Sequence, residues 1–265
     1  MRAGLVLLLL LLLPAASVAQ DHLGEARRLY NAQQYEAAER AARAAIGQPR
    51  VGNSARVVLA RILLERYRAT STPAQLTEAR DTLRGINPDS LEPRERVELM
   101  LGFGQGLFLE DRFAAAAAVF EPVVGSAAAL GTAAHDRALD WWATAIDRHA
   151  ATRPFSERGA IYERIRRRMT DELLLDPGSG PANYWLVAAA HGSGDLEGAW
   201  TMAQASWIRA AFAGSRTTQT RADIDRVVME GIIPARAARV FGRDSNLVIA
   251  GMVGEWEAFK SAWTR

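Results

Sequence analysis

Residues 24–49 contain two short segments with apolar stripes, and their sequence is GEARRLYNAQQYEAAERAARAAIGQP. Leu29 and Tyr30 form the stripe of the first segment, and residues 31–34 separate it from the second. The second segment spaces one tyrosine and three alanines by three or four residues, which keeps them on one face of a helix. These residues are Tyr35, Ala38, Ala42 and Ala45. The stretch predicts a helical hairpin, and because one hairpin cannot bury both of its faces, it also predicts neighbouring hairpins.

The same patterning continues through four more pairs of predicted helices. They occupy residues 54–83, 93–124, 132–175 and 182–213. Glycine, proline and serine separate the helices, and no stretch shows the alternation typical of a strand. The sequence therefore predicts an all-α fold. Its repeat character fades after residue 213, and residues 214–265 are predicted to form atypical helices that cap the array.

A recurring pattern links the second helices of several hairpins. A large residue is followed three positions later by a small one, then by a residue of variable size, and then by a small or medium one. The first, third and fifth hairpins show it at Tyr35, Ala38, Ala42 and Ala45, at Phe113, Ala116, Phe120 and Val123, and at Leu196, Ala199, Ala203 and Ser206. This pattern resembles that of the tetratricopeptide repeat, whose second helix begins in this way after a tight turn that usually contains glycine. The resemblance covers about residues 21–213, with Ile165 in place of the small residue in the fourth repeat.

The resemblance implies a right-handed α-solenoid of about five helical hairpins over residues 20–213, with a C-terminal helical cap over residues 214–265. In the tetratricopeptide family, ligands usually lie in a concave groove lined by the first helix of each hairpin. The groove-facing residues that the resemblance implies here are Arg28, Asn31, Arg61, Glu65, Gln105, Asp140, Thr144, Asp147 and His191. Charged and amide side chains in such a groove suit an extended peptide, which offers backbone and side-chain partners.

The N-terminus has the pattern of a secretory signal peptide. Arg2 precedes a leucine-rich run over residues 5–13, which Pro14 and the small residues 15–19 follow. This order predicts a signal peptide over residues 1–19 with cleavage before Gln20. The apolar run is shorter than the roughly 20 residues that span a bilayer, although a retained anchor is the alternative. We therefore expect export to the periplasm or the medium, with no transmembrane segment after cleavage.

Composition limits the kinds of partner and chemistry. The chain has 32 basic and 30 acidic residues, and this near balance argues against a broad nucleic-acid interface. It has no cysteine, which excludes disulfides and thiolate chemistry. The four histidines, His22, His135, His149 and His191, lie far apart in the sequence and outside any HExxH motif. The sequence GFGQG lacks the lysine of a phosphate loop, and GxSxG does not occur. We therefore predict no enzyme, cofactor or metal site.

The last predicted helix carries an aromatic stripe. Trp256, Phe259 and Trp263 share one helical face because they are spaced by three and four residues. Packing into the core is one interpretation. The other is a partner contact, because no further hairpin follows to cover the stripe.

These observations predict an exported scaffold or adaptor, similar to tetratricopeptide-repeat proteins, that binds a protein or peptide in its groove in the bacterial cell envelope. One alternative is a periplasmic cell-wall hydrolase or transglycosylase with a helical superstructure. Another is a self-assembling structural component, in which the aromatic stripe binds a second copy of the chain.

Overall fold

The computed structural model describes residues 16–240 and 245–264, and all regular structure in these residues is helical. The all-α prediction is therefore confirmed for the described part of the chain. The predicted signal peptide lies outside the described residues except for residues 16–19, which belong to the first helix. The chain divides into two compact units, Met1–Leu109 and Glu110–Arg265. We call them the first unit and the second unit.

Residues 16–109, the described part of the first unit, contain five α-helices that pack in chain order. They are α1 (Ala16–Asn31), α2 (Tyr35–Ile46), α3 (Gly52–Thr70), α4 (Pro73–Arg84) and α5 (Pro93–Leu109). Helices α1 and α2 form one hairpin, α3 and α4 form the next, and α2 packs against α3. Helix α1 also contacts α3, and α3 contacts α5, so these three helices are neighbours in turn.

Local backbone geometry explains two of the turns between these helices. Ser71 adopts the left-handed conformation with φ of 53°, which ends α3, and Pro73 then begins α4 at a position that needs no amide donor. Gly52 begins α3 close to the end of α2, where a Cβ atom would lie 2.7 Å from the carbonyl oxygen of Ile46. Only glycine therefore permits this approach.

Small and aliphatic side chains form the core of the first unit. Ala38, Ala42 and Ala45 are fully buried on α2, and Ile62 and Leu63 of α3 belong to the same core. Alanine brings two helices close together, and the larger side chains of α3 fill the remaining space. The apolar stripe of residues 24–49 thus has the packing role that its spacing predicts.

The described residues of the second unit, 110–240 and 245–264, contain eight α-helices. They are α6 (Phe113–Val124), α7 (Thr132–Ala151), α8 (Phe155–Leu175), α9 (Gly180–Gly192), α10 (Leu196–Arg209), α11 (Thr217–Val227), α12 (Ile233–Ala237) and α13 (Ser245–Trp263). Helices α7 and α8 pack together, as do α9 and α10, and α8 packs against α9. Helix α9 also contacts α7 on one side and α11 on the other. This arrangement places α7, α9 and α11 side by side.

Helix α10 ends earlier than the sequence predicts. We expected one helix over residues 196–213, but α10 ends at Arg209 and 3-10 turns follow through Arg216. Gly214 has φ of 61° and ψ of −125°, a conformation that interrupts a helix and that glycine adopts without strain. The break redirects the chain and allows α11 to pack against α9.

An aromatic cluster closes the core of the second unit. Trp256 of α13 is fully buried, and its ring centroid lies 5.8 Å from that of Trp200 and 5.6 Å from that of Trp207. It also stacks on Phe259, and its Nε1 donates a hydrogen bond to Asp225 at 2.8 Å. These contacts attach α13 to α10 and α11.

None of the helices in residues 16–240 and 245–264 combines the length and the apolar character needed to cross a membrane.

Candidate functional site

A cavity of about 590 Å³ lies in the second unit, with walls formed by α7, the start of α9, and α11. This volume is within the range of small-ligand pockets in proteins. The wall contributed by α7 includes Asp136, Asp140, Thr144 and Asp147. Their spacing of three or four residues keeps them on one side of the helix. A single polar stripe of α7 therefore faces the cavity.

Two carboxylates of this stripe are held by neutral donors. Trp185 Nε1 donates to Asp140 Oδ1 at 2.9 Å, and the Tyr162 hydroxyl donates to Asp147 Oδ1 at 2.7 Å. Within the described part of the chain, neither carboxylate forms an ion pair with an arginine, a lysine or a histidine. Both therefore keep a fixed orientation while their negative charge remains uncompensated by a neighbouring cation.

The electrostatics of the cavity follow from this arrangement. Burial raises the pKa of Asp140, the hydrogen bond from Trp185 opposes the rise, and the negative charge of Asp223 adds to it. Asp140 is an exposed residue of a concave wall, and the surrounding helices remove only part of the hydration of its carboxylate. A carboxylate in this position binds a cation more readily than a fully hydrated one does.

The pKa of Tyr184 is affected by the same negative charges. Burial raises the pKa of its hydroxyl, the charges of Asp140, Asp147 and Asp223 raise it further, and the charge of Arg226 opposes the rise. Three carboxylates from two helices thus act on one side chain of α9. The Tyr184 ring also lies edge-on to Trp185, with 5.2 Å between centroids, so the cavity has an aromatic wall beside its acidic one.

The cavity lining also contains four arginines and two further aspartates. Arg216 forms an ion pair with Asp136, and Arg226 forms one with Asp223 at 3.1 Å. Arg137 and Arg148 are exposed residues of α7. Each directly adjoins an aspartate of the stripe in the sequence, which places it about 100° around the helix from that aspartate.

Three of the predicted groove residues, Asp140, Thr144 and Asp147, lie together in this cavity. His191 lies further along α9, where its imidazole packs against Gly231 outside the cavity lining. Burial lowers the pKa of His191, although a hydrogen bond with the backbone of Gly231 and the charge of Asp147 oppose this shift.

The predicted groove residues of the first unit have different surroundings. Arg28 and Asn31 are exposed on α1. The Arg61 guanidinium lies 4.8 Å from the centroid of the Tyr30 ring and donates to the Tyr30 hydroxyl at 3.1 Å. Glu65 forms an ion pair with Arg68 at 2.8 Å.

Gln105 is only 5% exposed, and its Oε1 accepts no hydrogen bond within the described chain. In the first unit, a cavity of about 330 Å³ lies beside α2, α3 and α4, and Arg43 and Glu78 on its wall are paired at 2.7 Å.

The aromatic stripe of the last helix is divided between core and surface. Trp256 is fully buried, as the core interpretation expects, so it is not accessible to a partner in this structure. Phe259 is partly buried beside it, and Trp263 is 57% exposed. Only the end of the stripe is therefore a surface feature.

Sequence reasoning missed the contribution of α9 and α11 to the cavity. Tyr184 and Trp185 belong to a helix that is apolar on most sides, so its periodicity does not separate a ligand face from a core face. On α11, Gln219, Asp223 and Arg226 are spaced by four and three residues and form one polar stripe. That spacing indicates a polar face on α11 that could form a wall of a cavity. The sequence, however, predicts this segment only as part of a C-terminal cap.

No group of three or more histidine, aspartate or glutamate side chains in the described residues is arranged to hold a metal ion. No protein-family model, curated protein or solved structure matches the chain.

Proposed function

We propose that this protein is an exported helical-repeat scaffold, similar to tetratricopeptide-repeat proteins, that binds a protein or peptide partner. The binding surface in this proposal is the cavity between α7, α9 and α11, together with the polar stripe of α7. The observation that carries it is the pair of oriented carboxylates, Asp140 and Asp147, which face an open cavity and form no ion pair within the described residues.

Packing within each unit supports the repeat assignment. In the first unit α1 contacts α3 and α3 contacts α5, and in the second unit α7 contacts α9 and α9 contacts α11. Contacts between the first helices of successive hairpins are what a stacked array requires. The small residue of the repeat pattern is fully buried in three hairpins, at Ala38, Ala116 and Ala199. A right-handed solenoid is the arrangement that we propose for these hairpins.

The character of the cavity favours a peptide over a small metabolite. Its wall combines carboxylates, guanidinium groups, a threonine and two aromatic rings. These side chains come from three neighbouring helices, α7, α9 and α11. Extended peptides bind such surfaces through both their backbone and their side chains. Export, in this proposal, places the scaffold in the bacterial cell envelope, where its partners would be other exported proteins.

A displayed library of random peptides tests the function directly. The immobilised protein, residues 20–265, should retain a defined set of peptides. Thr144→Trp should release them, because an indole at this position fills the cavity. Gln219→Trp blocks the opposite wall and provides a second variant in case the first disturbs folding.

Ala44→Trp is the matched control, because Ala44 is exposed on α2 in the first unit. Circular dichroism should show the same helix content in all three variants. Retention of the same peptides by both cavity variants would contradict the proposed site, and a library from which no peptide is retained would contradict the function.

A further inference from the structure

The carboxylates of the cavity fall into two classes. Asp136 and Asp223 already have cationic partners, Arg216 and Arg226. Among the described residues, Asp140 accepts a hydrogen bond from an indole and Asp147 accepts one from a phenol, and neither has a cationic partner. A positively charged ligand group can therefore reach the second class without breaking an existing ion pair. An anionic group would meet these two charges, which no ion pair in the described residues neutralises.

The neutral donors occupy only part of the hydrogen-bonding capacity of these carboxylates. The indole and the phenol each bind one oxygen, Oδ1, of their aspartate. A carboxylate has two oxygens with about four lone-pair sites in total. The remaining sites suit the several N–H donors of a guanidinium or an ammonium group.

Aromatic rings near these carboxylates favour the same kind of ligand. Tyr184 lines the cavity and feels the charge of three carboxylates, which raise the pKa of its hydroxyl in addition to the effect of burial. Cations are attracted to the faces of aromatic rings, and guanidinium groups stack on them. The protein already uses this contact elsewhere, since Arg61 lies 4.8 Å from the Tyr30 centroid and Arg236 lies 4.7 Å from the Trp200 centroid.

The arginines of α7 do not reverse this preference. Arg137 and Arg148 are exposed, and each is turned about 100° around the helix from an aspartate of the stripe. They line the cavity as well, and because they are exposed, solvent screens their charge within about 8 Å at physiological ionic strength. They suit acidic or carbonyl groups that flank the bound group.

We infer that the cavity of the second unit binds a basic side chain, arginine or lysine, of the partner peptide, and that Asp140 and Asp147 are its anionic contacts. This inference rests on the proposed function, because it names the chemistry of the ligand for the same site. In this inference, the protein recognises basic segments of other exported proteins.

A matched set of synthetic peptides tests this inference. The probe is a blocked nonapeptide that alternates alanine and arginine. Its controls are the same peptide with citrulline, which keeps the shape of arginine but removes the charge, and the same peptide with glutamate. Fluorescence anisotropy at 150 mM salt measures the dissociation constants for wild type, for Asp140→Asn with Asp147→Asn, and for Asp171→Asn.

Asparagine keeps the acceptor oxygen for Trp185 and Tyr162, so the double variant should fold normally, and circular dichroism checks this. Asp171 is exposed on α8 outside the cavity lining, so its variant removes a negative charge away from the cavity, one charge against the two that the double variant removes. The arginine peptide should bind wild type at least about tenfold more tightly than the citrulline peptide, and the double variant should lose about tenfold or more in affinity. Asp171→Asn should bind as wild type does.

Equal binding of the arginine and citrulline peptides would overturn the inference, as would an unchanged affinity of the double variant. An equal loss in Asp171→Asn would also overturn it, since the attraction would then be due to net charge alone. The peptide library separates these failures from failure of the proposed function. Peptides that are released by Thr144→Trp but contain no basic residues would leave the function intact and exclude the basic ligand.

Discussion

In the first unit, partly buried carboxylates pair with arginines, whereas two carboxylates of the second unit accept hydrogen bonds from neutral donors. Glu39 pairs with Arg43 and Arg66, and Glu95 pairs with Arg27. Asp140 and Asp147 have no such partner in the described residues. Both units are built from helical hairpins, so the difference lies in the side chains and not in the backbone.

The pKa of one carboxyl group is shifted in opposite directions in the two units: it is lowered for Glu95 of the first unit and raised for Asp140 of the second. Burial raises the pKa of Glu95, but hydrogen bonds from Ser54, Arg27 and the backbone of Glu92, together with the charge of Arg27, outweigh this and leave it lowered. Burial raises the pKa of Asp140, and the single hydrogen bond from Trp185 does not compensate. The first unit therefore uses its charges for its own stability. The second unit keeps charges that a ligand can neutralise, as binding sites often do at some cost in stability.

The cores of the two units also differ. Alanine and branched aliphatic side chains fill the first, and the second contains three tryptophans in mutual contact through Trp256. A small-residue core tolerates little added volume, and an aromatic core tolerates little loss. Four substitutions test the contrast between the units, in order of decreasing effect.

The largest effect is expected for Trp256→Ala. The indole is fully buried, contacts Trp200 and Trp207, and bonds to Asp225, so its loss should destabilise the second unit by about 3–5 kcal/mol. Trp263→Ala, at an exposed position of the same helix, should change stability by less than about 0.5 kcal/mol. Urea unfolding followed by circular dichroism measures both. Similar losses in the two variants would show that α13 is not attached through the buried indole.

Added volume should destabilise the first unit by a smaller amount. Ala42 is fully buried between helices, so Ala42→Leu should cost about 1–3 kcal/mol through overpacking. Ala44 is exposed on the same helix, and Ala44→Leu is the matched control, with an expected change of less than about 0.5 kcal/mol. The urea midpoint of each variant tests this. A stabilised Ala42→Leu protein would mean that α2 leaves unfilled space in the core.

Removal of an arginine partner should produce a pH-dependent loss. Arg27→Ala leaves Glu95 without its cation, and because Arg27 is about one-third exposed, we expect a loss of only about 1 kcal/mol at pH 7. The folded-state pKa of Glu95 is lowered, so the stabilisation is present above the unfolded pKa of about 4.3 and is lost as pH falls through the folded value.

The difference between Arg27→Ala and wild type should therefore shrink between pH 7 and pH 3, which unfolding curves at both pH values can show. Arg40→Ala removes an exposed arginine from α2 and serves as the control. A difference that stayed constant with pH would indicate that Arg27 acts through packing of its aliphatic chain.

The smallest effect is expected for Asp140→Asn, and this substitution should stabilise the protein rather than destabilise it. The folded-state pKa of Asp140 is raised, so its ionisation weakens the folded state above the ordinary pKa of about 3.9 and has no such effect below it. The variant should gain less than about 1 kcal/mol at pH 7, because solvent reaches the carboxylate, and this gain should vanish by pH 3. Thermal unfolding at both pH values measures it. A destabilised variant at pH 7 would show that the carboxylate has a cationic partner in solution.

The helices could be predicted from the sequence because their signals are local. Apolar spacing and turn residues determine hairpins such as residues 24–49, and a shared helical face determines that Asp140, Thr144 and Asp147 lie together. The neutral donors could not be predicted. Trp185 contacts Asp140 across 45 residues of sequence, and only the packing of α9 on α7 brings them together.

The position of Trp256 shows the same limit. Its stripe on α13 suits either core or surface, and the choice depends on whether α13 returns to α10. The structure shows that it does, which buries Trp256 and leaves Trp263 exposed. The spacing of apolar residues predicts that a helix has an apolar face. What covers that face depends on contacts between elements that are far apart in the sequence.

Hydrogen–deuterium exchange of the protein with and without the tightest peptide from the library tests the central claim most directly. We predict slower amide exchange in α7, α9 and α11 of the second unit, with unchanged exchange in α2, α3 and α4 of the first. Protection confined to α1–α5, or to α13, would contradict the assignment of the binding site to the cavity around Asp140 and Asp147.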